Sequence, residues 1–171
     1  MLQKFYSNRE KFFALLAVSM FMVLSMLSSG TSFALDPYHV KDAKPLSSVA
    51  DKWVKIEPGE IQWFMLDYEA KPDYDGGEVS FAPLSVWMDV EYNDYNMNFS
   101  IWSPDRLERL RDEKGDTDKA PALGQGSMND LTPGDYYWAG EYFENATIYV
   151  AVENNSHETR YYSIDSANKH H

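Results

Sequence analysis

The stretch 146-ATIYVAVE-153 decides the fold class, because apolar side chains recur at every second position along it. Ile148, Val150 and Val152 would point to one side, and the residues between them to the other. A period of two is that of a β-strand with one buried face. The stretch 97-MNFSI-101 has the same period, so we predict two half-buried strands of an antiparallel sheet.

Shorter strand-like runs surround these two strands and are separated by turn residues. They lie at residues 53–56, 61–68, 79–90, 136–142 and 160–165. Within residues 79–90 the apolar positions change from odd to even at Pro83, which predicts a bulge or a break between two strands. A single short helix is predicted from Pro104 to about Asp112, with Ser103 as its cap. The sequence therefore predicts an all-β fold, an antiparallel β-sandwich or jelly roll with one short helix.

The N-terminal segment, residues 1–34, has the three parts of an export signal. Three basic residues precede an uncharged apolar run at residues 12–27, and a small-x-small site ends at Ala34. We predict cleavage after Ala34 and a secreted protein, extracellular or at the cell surface. The alternative is a retained membrane anchor, since the apolar run approaches the length of a short span.

Three further segments follow the predicted signal. Residues 35–51 are polar, contain two prolines and show no apolar period, which predicts an extended N-terminal arm. Residues 52–166 hold the predicted strands and form the β-sandwich domain. Residues 167–171 are a short tail that ends in two histidines.

The composition excludes some classes of partner. The chain has a formal net charge of −12, and the predicted signal carries more basic than acidic residues, so the mature protein is more acidic still. Such a surface repels nucleic acid and anionic lipid, so we expect neither nucleic-acid binding nor membrane binding after signal cleavage. The chain has no cysteine, so packing or a metal must supply the stability that disulfides give many exported proteins.

Several short motifs occur in an order known from one family. They are 56-IEPGE-60 followed by 63-WF-64, then 99-FSIWSP-104, then 131-LTPGDYY-137, then 148-IYVAVEN-154. Together they resemble the bacterial pre-peptidase C-terminal-like domain, a secreted jelly-roll β-sandwich. The resemblance implies an accessory role, because this domain usually assists folding, attachment or substrate contact in secreted enzymes. Fold alone does not fix a function.

The sequence offers no catalytic residues. It contains no cysteine and no Gly-x-Ser-x-Gly motif, and His157 is the one histidine within the predicted domain. A lone histidine in a turn is more often solvated than catalytic, and no pair of residues has the spacing of a zinc site. We expect that the protein is not an enzyme.

Carboxylates in predicted loops offer a calcium site. The candidate ligands are Asp73, Asp75, Asp89, Glu91, Asp94, Asp116 and Asp118. Calcium takes several oxygen ligands from flexible loops, and it is abundant outside the cell. None of these stretches matches the EF-hand pattern, and the alternative is that they form a solvated acidic surface.

The aromatic residues divide into a structural set and a ligand-stacking set. The residues predicted to be structural are Trp63, Trp102 and Trp138, with Gly140 in the same strand as Trp138 and the turn pair Pro133-Gly134 before that strand. Trp87 is also expected in the core. The candidates for stacking on a sugar ring or a protein partner are Tyr92, Tyr95, Tyr136, Tyr137 and Tyr142, because they lie at turns and strand ends.

Three functions remain open on these grounds, of which an enzyme ranks last because the sequence shows no activated nucleophile and no set of metal ligands. The first is a non-catalytic extracellular binding or accessory module that engages a protein or a polysaccharide. The second is a structural subunit of an extracellular assembly, in which the arm at residues 35–51 adds a strand to a neighbouring copy and forms a homo-oligomer.

Overall fold

Strands make up most of the computed structural model, which describes residues 35–70, 72–75, 78–81, 83–91, 96–128 and 134–168. These residues belong to the second of two units into which the chain divides, residues 1–33 and residues 34–171. The strands are β1 (Lys44–Pro45), β2 (Val54–Ile56), β3 (Ile61–Tyr68), β4 (Pro72–Asp75), β5 (Glu78–Phe81), β6 (Leu84–Val90), β7 (Met97–Trp102), β8 (Gly124–Gln125), β9 (Ser127–Met128), β10 (Asp135–Gly140), β11 (Ala146–Asn154) and β12 (Arg160–Asn168).

The strands form two five-stranded sheets and a separate hairpin. Sheet A has the order β1-β3-β11-β7-β8, sheet B has the order β2-β12-β6-β10-β9, and β4 pairs with β5. Neighbouring strands are antiparallel except β1, which runs parallel to β3. The predicted all-β sandwich is confirmed. The break at Pro83 separates β5, in the hairpin, from β6, in sheet B.

The core lies between the two sheets and comes from alternate residues of each strand. Sheet A contributes Ile148, Val150 and Val152, all fully buried, and sheet B contributes Val86 and Met88. Burying such a side chain stabilises the fold by roughly 1.5–3 kcal/mol. The period of two seen in the sequence is therefore the period of this packing.

A helix covers the outer face of sheet A. Helix α1 spans Pro104–Asp112, as predicted, and its Leu107 and Leu110 lie on one side because they are three residues apart. They pack in a second buried cluster with Trp63 and Trp102, whose ring centroids are 6.5 Å apart. The Trp102 indole N–H donates to Ser100 Oγ at 2.8 Å. Both faces of sheet A are thus buried around these tryptophans.

The N-terminal segment is folded onto the domain, so the prediction of an extended arm is wrong. Residues 35–51 form two 3-10 helices, Pro37–Asp42 and Leu46–Ser48, joined by β1, which pairs with Phe64 and Met65 of the same chain. Leu35 and Leu46 are buried, and Leu46 belongs to the core between the sheets. Isolated leucines produce no apolar period, so this packing has no signal in the local sequence. Among the described residues, no helix has the length and apolar character needed to cross a membrane.

Candidate binding surface

The outer face of sheet B carries the side chains that the core does not use. In β6 the even-numbered residues Val86 and Met88 point into the core, so the odd-numbered Ser85, Trp87 and Asp89 point away from it. The same alternation places the odd-numbered residues of β2, β10 and β12 on this outer face. Helix α1 packs on the opposite side of the sandwich, against sheet A.

Four aromatic residues share this outer face. Trp53 precedes β2 and is 58% exposed, Tyr137 in β10 is 50% exposed, and Tyr161 in β12 is 42% exposed. Trp87 in β6 is half-buried, and neither buried apolar cluster includes it. Trp53 and Tyr161 line a shallow depression of about 270 Å³ together with Glu91.

The strand register places Trp87 at the centre of this face. Its cross-strand neighbours are Tyr137 in β10 and Asp165 in β12. The Tyr137 hydroxyl lies 3.2 Å from Ser85 Oγ, within hydrogen-bond distance, so the ring leans along β6. Trp87 and Tyr137 therefore both lie on strands of the sheet rather than on a loop, and the contact with Ser85 orients the Tyr137 ring.

Two carboxylates oppose one another beside this centre. Asp89 in β6 is the cross-strand partner of Asp135 in β10. The Val90 N–H donates to the Gly134 carbonyl at 2.9 Å, so the adjacent pair Asp89–Asp135 is of the non-hydrogen-bonded kind, in which side chains lie closest. Partial burial, and then the negative charge of Asp135, raise the pKa of the Asp89 carboxyl. Like charges in this position destabilise a sheet.

The face is acidic as a whole. Its carboxylates and aromatic residues, which together we call the aromatic–acidic face, are Asp89, Glu91, Asp135 and Asp165 with Trp53, Trp87, Tyr137 and Tyr161. Lys55 is the one cation among the described outward-facing residues of β2, β6, β10 and β12, and its ammonium lies 2.6 Å from the Glu57 carboxylate. Lys55 is therefore already engaged, and negative charge predominates among the described outward-facing residues of these strands.

The structure separates the predicted stacking residues. Tyr137 lies on the aromatic–acidic face, whereas Tyr136 is 5% exposed and belongs to the core, so its predicted exposure is wrong. Adjacent residues of a strand point to opposite faces, and only one of the two tyrosines can face outward. Tyr142 is half-buried and packs edge-to-face on Tyr68, with ring centroids 6.2 Å apart. Tyr92 and Tyr95 lie outside the described residues.

The candidate calcium ligands are dispersed. Asp73 and Asp75 belong to β4 and not to a turn, which corrects the predicted loop; β4 pairs with β5 as a hairpin. Asp89 and Glu91 lie on the aromatic–acidic face, and Asp94 is outside the described residues. Asp116 and Asp118 lie in the segment that follows α1. Within the described ranges, no three His, Asp or Glu side chains come close enough to hold one metal ion.

The carboxylate of Asp116 already interacts with neighbouring groups of its own loop. Its carboxylate accepts from the backbone N–H of Asp118 at 3.1 Å and lies 2.9 Å from the Lys119 ammonium. These interactions, with the hydrogen bond to Lys119 first, lower the pKa of Asp116. Asp118 is exposed. Calcium binding therefore stays a prediction.

The residues predicted to be structural lie at the interior or at turns. Trp63 and Trp102 are buried under α1, as described above. Trp138 is half-buried, and its ring lies against Gly124 of β8 in sheet A and against Gly140 of its own strand β10 in sheet B. A Cβ on Gly124 would lie 1.9 Å from Trp138 Nε1, so the indole fits only because this position has no side chain. Gly134 has a φ of 98°, in the region that favours glycine, and Pro133 lies outside the described residues.

Most of the aromatic–acidic face is not evident from the sequence. Trp53, Tyr161 and Asp165 were not recognised as site residues, and Trp87 was expected in the core. One signal was present for Trp87, because the apolar even positions of β6 put it on the polar side of the strand. The pairing of Asp89 with Asp135 carries no local signal, because it depends on the strand order.

Comparison with known proteins gives similarities of fold. No protein-family model matches the chain, and no curated protein matches it. Among solved structures, it is similar to PliG of Aeromonas hydrophila, a periplasmic inhibitor of g-type lysozyme, with 12% identity, a TM-score of 0.40, and coverage of 67% of this chain and 81% of that one. It is also similar to the pre-peptidase C-terminal domain of the collagenase from Bacillus anthracis, with 9% identity, a TM-score of 0.43, and coverage of 69% and 90%. The latter is a domain of the kind that the sequence motifs resemble.

Proposed function

We propose that this protein is an exported, non-catalytic binding module that engages an extracellular molecule through the aromatic–acidic face. The observation that carries the proposal is the exposure of Trp53, Tyr137 and Tyr161 on one sheet face, outside both buried clusters. Large aromatic side chains on a rigid surface are the commonest anchors of binding interfaces. Export rests on the predicted signal at residues 1–34.

The structure of the N-terminal segment argues against the role of assembly subunit. Strand donation to a neighbour needs an extended segment with unpaired backbone groups. Here β1 pairs with β3 of its own chain, and Leu35 and Leu46 anchor the segment in its own domain. Releasing it would expose both leucines, so binding through a preformed sheet face is the better supported function.

Substitution of the exposed aromatics tests the proposal. We expect Trp53→Ala and Tyr161→Ala each to weaken retention on immobilised ligands, and the double substitution to abolish it, without changing the melting temperature. The ligands are a panel of insoluble cell-wall and extracellular polysaccharides together with cationic, neutral and anionic peptides. Tyr38→Ala is the matched control, because Tyr38 is 60% exposed but lies on the first 3-10 helix, away from this face.

The outcomes are distinct. Retention of the parent and of Tyr38→Ala, but not of the double variant, supports the proposal. Equal retention of all three proteins would show that binding occurs elsewhere. Failure of the parent to bind any member of the panel would count against a binding role for this face.

A further inference from the structure

We propose that the occupant of the aromatic–acidic face is a protein segment that presents arginine side chains. This inference rests on the proposed function and names the partner of the same surface. Two features of sheet B favour such a partner: the charge complementarity of its carboxylates with a cation, and the alternation of rings and carboxylates across its outer face.

Rings and carboxylates are paired across neighbouring strands. Trp87 in β6 lies opposite Asp165 in β12, and Tyr161 in β12 faces Glu91, whose N–H donates to the Tyr161 carbonyl at 3.0 Å. Neighbouring strands are about 4.8 Å apart, so each ring has a carboxylate one strand spacing away on the same face. The pattern therefore occurs twice on one surface. In the first pair the ring is on β6 and the carboxylate is on β12, and in the second pair the ring is on β12 and the carboxylate directly follows β6.

A guanidinium group uses both members of such a pair at once. It stacks its plane on an aromatic ring and offers its N–H groups as a fork to a carboxylate. A lysine ammonium makes the charge contact but lacks the plane and the fork. A neutral sugar could stack on the rings, but it gains no Coulombic attraction from the carboxylates beside them.

The cost of the Asp89–Asp135 pair supports a cationic partner. Two like charges are held directly opposite each other in a sheet, where they oppose folding. Lys55, the nearby cation, is already paired with Glu57. A guanidinium bound between these carboxylates would neutralise their repulsion. The folded sheet already holds the two negative charges close together, so binding a cation requires no rearrangement of the strands.

The experiment compares peptides that differ only in side chain. Fluorescence-labelled peptides of equal length, rich in arginine, in lysine or in glycine and serine, are titrated with the full secreted protein, and soluble neutral oligosaccharides are titrated alongside. We expect arginine to bind more tightly than lysine, the neutral peptide to bind least, and the affinity for arginine to fall as sodium chloride rises.

Matched variants localise the binding. Replacing Glu91 by Gln and Asp165 by Asn together should weaken arginine-peptide binding roughly two- to thirtyfold, the sum of two exposed ion pairs. Replacing Asp112 and Asp118 by Asn removes the same charge on the α1 side of the sandwich and should leave the affinity within about twofold. Tyr161→Ala keeps the charge and should cost about two- to fivefold for arginine and less for lysine.

Each remaining outcome overturns the inference. Salt-independent binding of a neutral oligosaccharide that Tyr161→Ala removes would retain the proposed function but refute the arginine partner. Equal affinity for arginine and lysine, unaffected by Tyr161→Ala, would reduce the effect to net charge and refute it. Equal weakening in the Glu91/Asp165 and Asp112/Asp118 variants would show that this face is not the site, and would refute both proposals.

Discussion

Replacing Asp89 by asparagine should stabilise the protein at neutral pH and at the same time weaken its binding of cations. Asn has the same shape as Asp but no charge, so the substitution removes the repulsion with Asp135 and keeps the strand. Opposed cross-strand pairs are worth about 0.2–1 kcal/mol, so the free energy of unfolding should rise by about that amount. In a domain of this size the melting temperature should rise by about 1–4 °C.

The pH dependence gives the sharper test. Burial and the charge of Asp135 raise the pKa of Asp89 in the folded protein, so the wild type loses stability as pH rises through that pKa. Below the ordinary aspartate pKa of about 3.9 the carboxyl is neutral, and the variant should have no advantage. Thermal unfolding of the wild type and of Asp89→Asn at pH 7 and at about pH 3 compares their stabilities with the Asp89 carboxyl charged and neutral.

Asp118→Asn is the control for this prediction. Asp118 is exposed on the α1 side, and its substitution should change the free energy of unfolding by less than about 0.5 kcal/mol at either pH. A lower melting temperature for Asp89→Asn at pH 7, or the same gain at both pH values, would refute the argument that Asp89 and Asp135 repel each other in the folded sheet.

Four further predictions concern other parts of the chain. Gly140→Ala should cost about 1–3 kcal/mol by thermal unfolding, because its Cβ would lie 2.4 Å from Trp138 Cζ2; an unchanged melting point would mean that the indole moves freely. Asn154→Ala should cost about 1–3 kcal/mol, since its buried amide donates to three carbonyls, and Asn154→Asp should cost no less because a carboxylate donates no hydrogen bond at neutral pH. Millimolar calcium should raise the melting temperature more than sodium chloride of equal ionic strength, by about 2.7 kcal/mol of stability at a hundredfold excess over Kd, and equal shifts would argue for screening alone. Mass spectrometry of the exported protein should find a start at Leu35, and intact Met1 in a membrane fraction would contradict cleavage.

The sequence predicts strands well wherever one face is buried and the other is not. Strand β11 and helix α1 follow directly from their apolar periods, and the position of Pro83 marks the break before β6. Segments anchored by isolated side chains give no such period. Leu46 enters the core from a 3-10 helix of three residues, and local sequence contains nothing that distinguishes it from a loop leucine.

The aromatic–acidic face was harder to predict because it depends on strand order. Strand β6 lies between β12 and β10, which are remote from it in the sequence, so the neighbours of Trp87 follow only from the assembled sheet. Tyr136 and Tyr137, two adjacent residues of β10, show the same limit of prediction from local sequence. Adjacent tyrosines in one strand must face opposite ways, and the register with β6 decides which one enters the core.

The outward-facing tryptophans of the two sheets differ in burial, and this difference favours a binding role for sheet B. On sheet A, Trp63 and Trp102 are covered by Leu107 and Leu110 of α1 and are almost completely buried. On sheet B, Trp87 stays half-buried beside the exposed Tyr137, although the same chain can build a helix that covers aromatic residues. Covering sheet B would bury more apolar surface and increase stability. It would also bury the opposed carboxylates at a cost of several kcal/mol per unpaired charge. A face with this composition is therefore stable as open surface or when a partner supplies cations to it, and binding of such a partner would account for the exposed rings as well as for the charges.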